Sequence, residues 1–232
     1  MSINLPNSDN YKVVDSFEEL IDTVFYGNTN AICFQRDLKG DFEEIVHKLQ
    51  LKEDITEIQP EDLYALELTA DGQIARQIIV EDYNRLKEYG AQPNLNLLKC
   101  YEKDEEFDFI STDVYSYHVD RSPTGMPTFL CTYFGAASDI LPNHQAVQQV
   151  QIPAIRNKLF SLFEGSETEF EIFLQENYFD LHYEAADDAI PLNLGVGNLW
   201  KLAVDHPDQT VLPCVHRAPI ENKNEYRLML IC

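Results

Sequence analysis

From Leu95 to the C-terminus the chain is written as short runs of β-branched, aromatic and aliphatic residues separated by turn signals. They fall at Leu95 to Tyr101, Asp113 to Asp120, Thr128 to Phe134, Gly197 to Val204, Val211 to His216 and Tyr226 to Ile231. Runs this short cannot bury themselves and must pair side by side, so they require a sheet-rich core. Because turns interrupt them and helical stretches flank them, a two-sheet antiparallel barrel or jelly roll is favoured over a doubly wound parallel sheet. The expected class is α+β.

The N-terminal third alternates element types instead. Periodicity predicts an amphipathic helix near Phe17 to Phe25, a strand at Ala31 to Gln35 and a helix from Asp41 to Leu49 opened by Gly40-Asp41. Residues 51 to 72 read as acidic and irregular, with Pro60 and the turn Asp71-Gly72; Gln73 to Tyr89 reads as a helix stopped by Gly90. Further on, a helical insertion is expected over Ala146 to Phe163, with Pro153 inside it, and over Glu169 to Asn177. No linker long enough to part domains occurs. At 232 residues the chain can bury one core. The organisation expected is a single domain, with residues 1 to 90 an α/β flanking region and 91 to 232 a core carrying the insertion 146 to 190, whose length suits a lid.

Charge narrows the partners. Against 17 Lys and Arg stand 40 Asp and Glu, a formal net charge of -23, so a phosphate backbone would be repelled and nucleic acid is excluded as a first reading. The acidic residues are spread, with no run longer than Asp104-Glu105-Glu106, and so describe a solvated surface. No window is apolar enough for a membrane span and Met1-Ser2-Ile3-Asn4 opens no signal-peptide core, which predicts a cytoplasmic protein. Cys33, Cys100, Cys131, Cys214 and Cys232 are odd in number and widely spaced, as reduced, mostly buried thiols would be.

Phosphate-loop, dinucleotide-fold and hydrolase-elbow glycine motifs are all missing. Among the six histidines, His47, His144, His182 and His206 read as structural or exposed. His118 differs, because it stands two residues before Asp120 in a strand-like run, and the two-residue period points both side chains to one face. A second imidazole from another strand would complete a two-His-one-carboxylate triad suited to Fe(II) with open positions. His216, in Val211 to His216, is the natural third ligand. Ten residues intervene before Arg227, whose guanidinium can grip a carboxylate by two parallel hydrogen bonds. His206 and Arg217 share that spacing, but His206 lies in the turn signal Val-Asp-His-Pro-Asp-Gln. The plain alternative is a surface histidine paired with Asp120 and an unrelated Arg227.

At these residues the chain resembles the Fe(II)/2-oxoglutarate-dependent oxygenase superfamily, whose pattern is His-x-Asp, a distal His and an Arg about ten residues later. His118-Val-Asp-Arg, Thr128-Phe-Leu-Cys-Thr-Tyr-Phe-Gly135 and Val215-His-Arg-Ala-Pro219 are also similar to motifs of an uncharacterised bacterial family related to it. The resemblance implies a double-stranded β-helix, with Fe(II) held by His118, Asp120 and His216 and the distal carboxylate of 2-oxoglutarate held by Arg227. It implies hydroxylation or a related oxidation, with the presence of Asp120 disfavouring a halogenase, and the acidic surface leans toward a cationic or neutral small molecule or a basic peptide as substrate. Many relatives place Ser or Thr two residues after the arginine, where this chain has Met229; Thr132 and Tyr133 are the candidate substitutes. Arg121 and Arg217, beside the ligands in sequence, are expected on the opposite strand face. Two rival readings stand beside the oxygenase: a non-catalytic acidic interaction protein, and a metal-binding cupin-type barrel that does not use 2-oxoglutarate.

Overall fold

A computed structural model describes residues 5, 6 and 8 to 232. In chain order the elements are β1 (Tyr11–Val14), α1 (Phe17–Asp22), β2 (Ala31–Phe34), α2 (Phe42–Lys48), β3 (Ile55–Ile58), α3 (Pro60–Tyr64), α4 (Ala70–Tyr89) and β4 (Asn94–Leu98). There follow β5 (Tyr117–His118), β6 (Thr128–Phe134), β7 (Asp139–Leu141), β8 (Ala146–Gln148), α5 (Pro153–Leu162), α6 (Glu167–Glu176), β9 (His182–Ala185), β10 (Leu192–Asn193), β11 (Leu199–Leu202), β12 (Val215–Arg217) and β13 (Arg227–Ile231).

The strands form two sheets. The larger has the order β1-β2-β11-β6-β13-β4-β3 and the smaller β10-β7-β12-β5-β9-β8. Every named pairing is antiparallel except β1 with β2. The α+β class read from the sequence is therefore the architecture. The N-terminal region does more than flank it, since β1, β2 and β3 extend both edges of the larger sheet.

Strand β6 explains how the layers are sorted. Phe129, Cys131 and Tyr133 alternate to one face and pack with Ile45, Val46, Ile79 and Leu86 from α2 and α4. Leu130 turns the other way, into a second cluster with Trp200, Met229 and Ile140, and Ile140 comes from the smaller sheet. Thus one face of the larger sheet is covered by helices and the other by the smaller sheet, as the two-residue period requires. Even Lys201 on β11 is buried, its Nζ donating to the carbonyls of Leu20, Ile21 and Thr23 at the end of α1, where a cation meets the negative end of the helix.

Several boundaries move for physical reasons. Helix α4 begins three residues earlier than the periodicity predicts because the Thr69 side chain accepts from Gly72 N, and it ends at Gly90 with φ 103° as expected. The expected strand Asp113 to Asp120 shrinks to β5, since the Asp113 carboxylate accepts from the backbone of Tyr115 and Ser116 and folds the preceding residues into a turn. Residues 51 to 72 are not irregular: they hold β3, α3 and the start of α4. Ahead of Pro153 the insertion is strand and 3-10 turn, and Pro153 opens α5 instead of lying inside a helix. The strand expected from Val211 begins only at Val215, beyond Pro213. Thr128 to Phe134 matches β6 residue for residue. Among the described residues no helix is long and apolar enough to cross a membrane, and all five cysteines are free.

Candidate metal centre

The smaller sheet brings the histidines together by register. His216 on β12 pairs directly with Ile140 on β7 and with His118 on β5. Directly paired residues share a face, and Ile140 belongs to the cluster between the sheets, so both imidazoles point into that space. Their ring centroids lie 4.5 Å apart. The ligand atoms of His118, Asp120 and His216 all fall within 4.8 Å of one another.

Each imidazole is oriented by its own backbone. His118 Nδ1 is 2.9 Å from the Ser116 carbonyl and His216 Nδ1 is 3.1 Å from the Cys214 carbonyl. A carbonyl oxygen can only accept, so both Nδ1 atoms carry protons, and in the neutral form of each ring the Nε2 lone pair is left for a ligand. Asp120 lies one residue beyond Val119, past the end of β5, and its position comes from the backbone on either side. Val119 N donates to Leu181 O, and Asp120 O accepts from Asp205 N at 2.8 Å. One carboxylate oxygen of Asp120 sits 3.6 Å from His216 Nε2 and accepts from the Thr128 hydroxyl.

The electrostatics favour the deprotonated forms of His118 and Asp120. Burial pulls the pKa of His118 down to about 4, and the neighbouring His216 adds to the effect. For Asp120 burial pushes upward, but His216, the Thr128 hydrogen bond and His118 outweigh it and leave the pKa below the usual carboxylate value. Two imidazoles and a carboxylate, each tied by an outer hydrogen bond, form a donor set that could hold a divalent transition metal.

Arg227 stands on the other sheet, at the start of β13, and is 1% exposed. Its Nη2 donates to Thr132 Oγ1 at 3.0 Å and to Ser138 Oγ at 2.9 Å. Among the described residues its Nε has no hydrogen-bond partner and no carboxylate lies within ion-pair distance of it. Burial accordingly lowers its pKa from the ordinary arginine value. Of the two candidate substitutes for Met229, Thr132 bonds the guanidinium, whereas Tyr133 points away and donates to Asp82 at 2.8 Å.

Two residues near Arg227 were silent in the sequence. Ser138 follows β6 in a loop and no motif marks it. Tyr101 ends its strand-like run, and its hydroxyl reaches Met229 Sδ at 3.3 Å; burial raises its pKa and the nearby Arg227 opposes the rise. The alternation of Leu95 to Tyr101 would set Tyr101 with Leu95 and Leu97 on the helix-covered face, and only the end of β4 at Leu98 frees it to reach the inner one. The remaining candidates separate cleanly. Arg121 is paired with Asp180 and Asp205, and Arg217 with Asp139 at 3.0 Å while its guanidinium lies 4.5 Å from the centre of the Tyr117 ring. His206 lies in a loop beside Gly125, so the competing spacing to Arg217 assembles nothing.

A third histidine does join the row. His182 on β9 pairs directly with His118, with ring centroids 5.9 Å apart, although its ligand atoms fall outside the cluster of three. A cleft of about 760 Å³ lies elsewhere, lined by Arg36, Phe42, Gly135, Val196, Arg217 and Ile220 among others, and includes neither the triad nor Arg227. No family model, curated protein or solved structure matches this chain.

Proposed function

We propose that the protein is an Fe(II)- and 2-oxoglutarate-dependent oxygenase that hydroxylates, or oxidises in a related way, a small molecule or a basic peptide. The observation that carries this reading is Arg227. A buried guanidinium with an orphaned Nε and no carboxylate partner is costly unless an anion completes it. It faces the same inter-sheet space as a two-His-one-carboxylate cluster, and a 2-oxo acid with a distal carboxylate needs both.

On this reading the two sheets are the walls of a double-stranded β-helix, with the metal ligands on one wall and the arginine on the other. His118, Asp120 and His216 hold the iron. Thr132 and Ser138 hold the guanidinium so that its remaining donors face the distal carboxylate, a bidentate arrangement that lysine could not reproduce. When bound, the iron lets dioxygen and 2-oxoglutarate be consumed together, giving succinate, carbon dioxide and a hydroxylated substrate carbon. The protein's part is placement: the apolar wall of Leu130, Ile140, Trp200 and Met229 excludes water, and the carbonyl-tied imidazoles keep their Nε2 lone pairs aimed inward before any ligand arrives.

Thermal denaturation under anaerobic conditions tests this. Fe(II) should raise the melting temperature of the metal-free protein and 2-oxoglutarate should raise it further, each by about 2.7 kcal/mol of stability at a hundredfold excess over its Kd. His118→Ala should lose both increments and Arg227→Ala only the second. A cupin-type barrel without 2-oxoglutarate would show the first increment alone in the wild type. A non-catalytic interaction protein would show neither.

A further inference from the structure

His182 was read as structural, yet it occupies a place in the row of imidazoles that structure alone does not explain. Its Nδ1 lies 2.9 Å from Ser116 Oγ. That hydroxyl has one proton and spends it on the Asp113 carbonyl, at 2.7 Å. Ser116 Oγ must therefore accept from His182, which places the proton of the neutral ring on Nδ1 and leaves Nε2 as a lone pair. Ser116 orients two histidines at once, His118 through its carbonyl and His182 through its hydroxyl. Among the described residues no group bonds His182 Nε2, although the residue is only 7% exposed. Direct pairing with His118 sets it on the same face of the sheet as the metal ligands.

An oriented acceptor that no protein group satisfies, on a residue with only a small opening to solvent, is available to a ligand that brings a donor. The surrounding field sharpens the chemistry: burial outweighs the rest and lowers the pKa of His182, which keeps the ring a neutral acceptor, while Asp113, Asp180 and Asp104 all act on it electrostatically and favour a positive charge beside it. Asp180 is already paired with Arg121, whereas Asp104 and Asp113 are bonded only to neutral donors. We propose that His182 is a substrate-binding residue whose Nε2 accepts a hydrogen bond from an N–H group, so that the substrate carries an ammonium or similar nitrogen donor next to the carbon that is oxidised. This rests on the oxygenase reading and specifies its substrate class: a nitrogen cation, not an acid, at that end of the site.

Weak binders near a paramagnetic ion reveal themselves without turnover. The probes are n-butylammonium and butyrate, matched in chain and opposite in charge, each added to protein loaded with Mn(II) and saturated with 2-oxoglutarate. Proton relaxation of n-butylammonium should be enhanced several-fold more than that of butyrate. His182→Leu should abolish the difference, and His182→Gln, which keeps an acceptor oxygen, should retain part of it. Mn(II) electron paramagnetic resonance in the same samples should report unchanged metal binding in both variants, which also shows that they fold. Equal enhancement of the two probes, no enhancement of either, or an undiminished difference in His182→Leu would overturn the proposal while leaving the metal centre standing. Loss of Mn(II) binding in the His182 variants alone would make His182 a metal ligand and equally overturn it. Failure of wild type to bind Mn(II) would overturn the oxygenase reading as well.

Discussion

Two arginines lie on opposite faces of the larger sheet, Arg36 partly buried and Arg227 fully so, and the protein treats them differently. Arg36, just after β2, reaches the helix-covered side. Its Nη1 meets Asp82 of α4 at 2.7 Å, its Nε donates to Gly197 O at 3.0 Å, and Tyr133 donates to the other oxygen of Asp82. Burial works against its charge, but Cys131, Asp82 and Tyr133 outweigh it and raise its pKa. Arg227 faces the other way with hydroxyl partners only. A buried cation completed by its own protein is a structural clasp, here fastening α4 to the sheet. One left incomplete suits the binding role proposed for Arg227, because folding has accepted a desolvation cost that an anionic ligand would offset.

The sharpest way to break this contrast is to remove Asp82. Asp82→Ala strands Arg36 and the Tyr133 hydroxyl in the interior and should cost about 3–5 kcal/mol in urea denaturation. A loss below about 1 kcal/mol would mean that Arg36 is not held as described.

Acid should act on the metal side. The folded pKa of His118, near 4, lies below the ordinary value of about 6.5 for an unfolded histidine. The unfolded chain therefore takes up the proton first. The His118 contribution is complete above pH 6.5 and is lost as pH falls toward 4, with a slope of at most about 1.4 kcal/mol per pH unit for one proton. Melting temperatures of metal-free protein across this window should fall more steeply for wild type than for His118→Phe. Parallel curves would show that His118 is not buried as a neutral ring.

Smaller again is the effect of Thr128→Val, which deletes the hydroxyl on Asp120 and keeps the shape. Metal affinity, followed by calorimetric titration, should weaken about tenfold, as is typical when an outer partner of a ligand is lost. An unchanged Kd would leave the orientation of Asp120 to the backbone alone.

The smallest change is expected from Arg227→Met in the absence of ligand. Two hydrogen bonds are lost, but an uncompensated charge leaves the interior, so apo stability should stay within about 1 kcal/mol of wild type. A loss as large as that of Asp82→Ala would erase the difference between the two arginines and make Arg227 structural.

Much of this molecule is legible one segment at a time. The run from Thr128 to Phe134 alternates strongly enough to be read as β6 without a partner, and Gly90 marks the end of α4 because only a residue tolerant of positive φ ends a helix that way. The identities of His118, Asp120, His216 and Arg227 could be picked out because their chemistry is rare and their order along the chain is informative. Short strands of mixed polarity, such as β1, β7, β9 and β10, carried no such signal, since an edge pairing of two to four residues is decided by what lies next to it.

What the sequence by itself determined was the α+β class, the net charge of -23, and the three residues that could hold a metal ion. Tertiary structure alone decided three further things. It set His216 against His118 by register, it left Arg227 without the carboxylate that Arg36 has, and it added His182 to the row through a strand pairing that no local pattern announces. The physical reason is range. Alternation and capping act within a few residues, whereas His118 meets His216 and His182 only because β12 and β9 pair on either side of a two-residue strand.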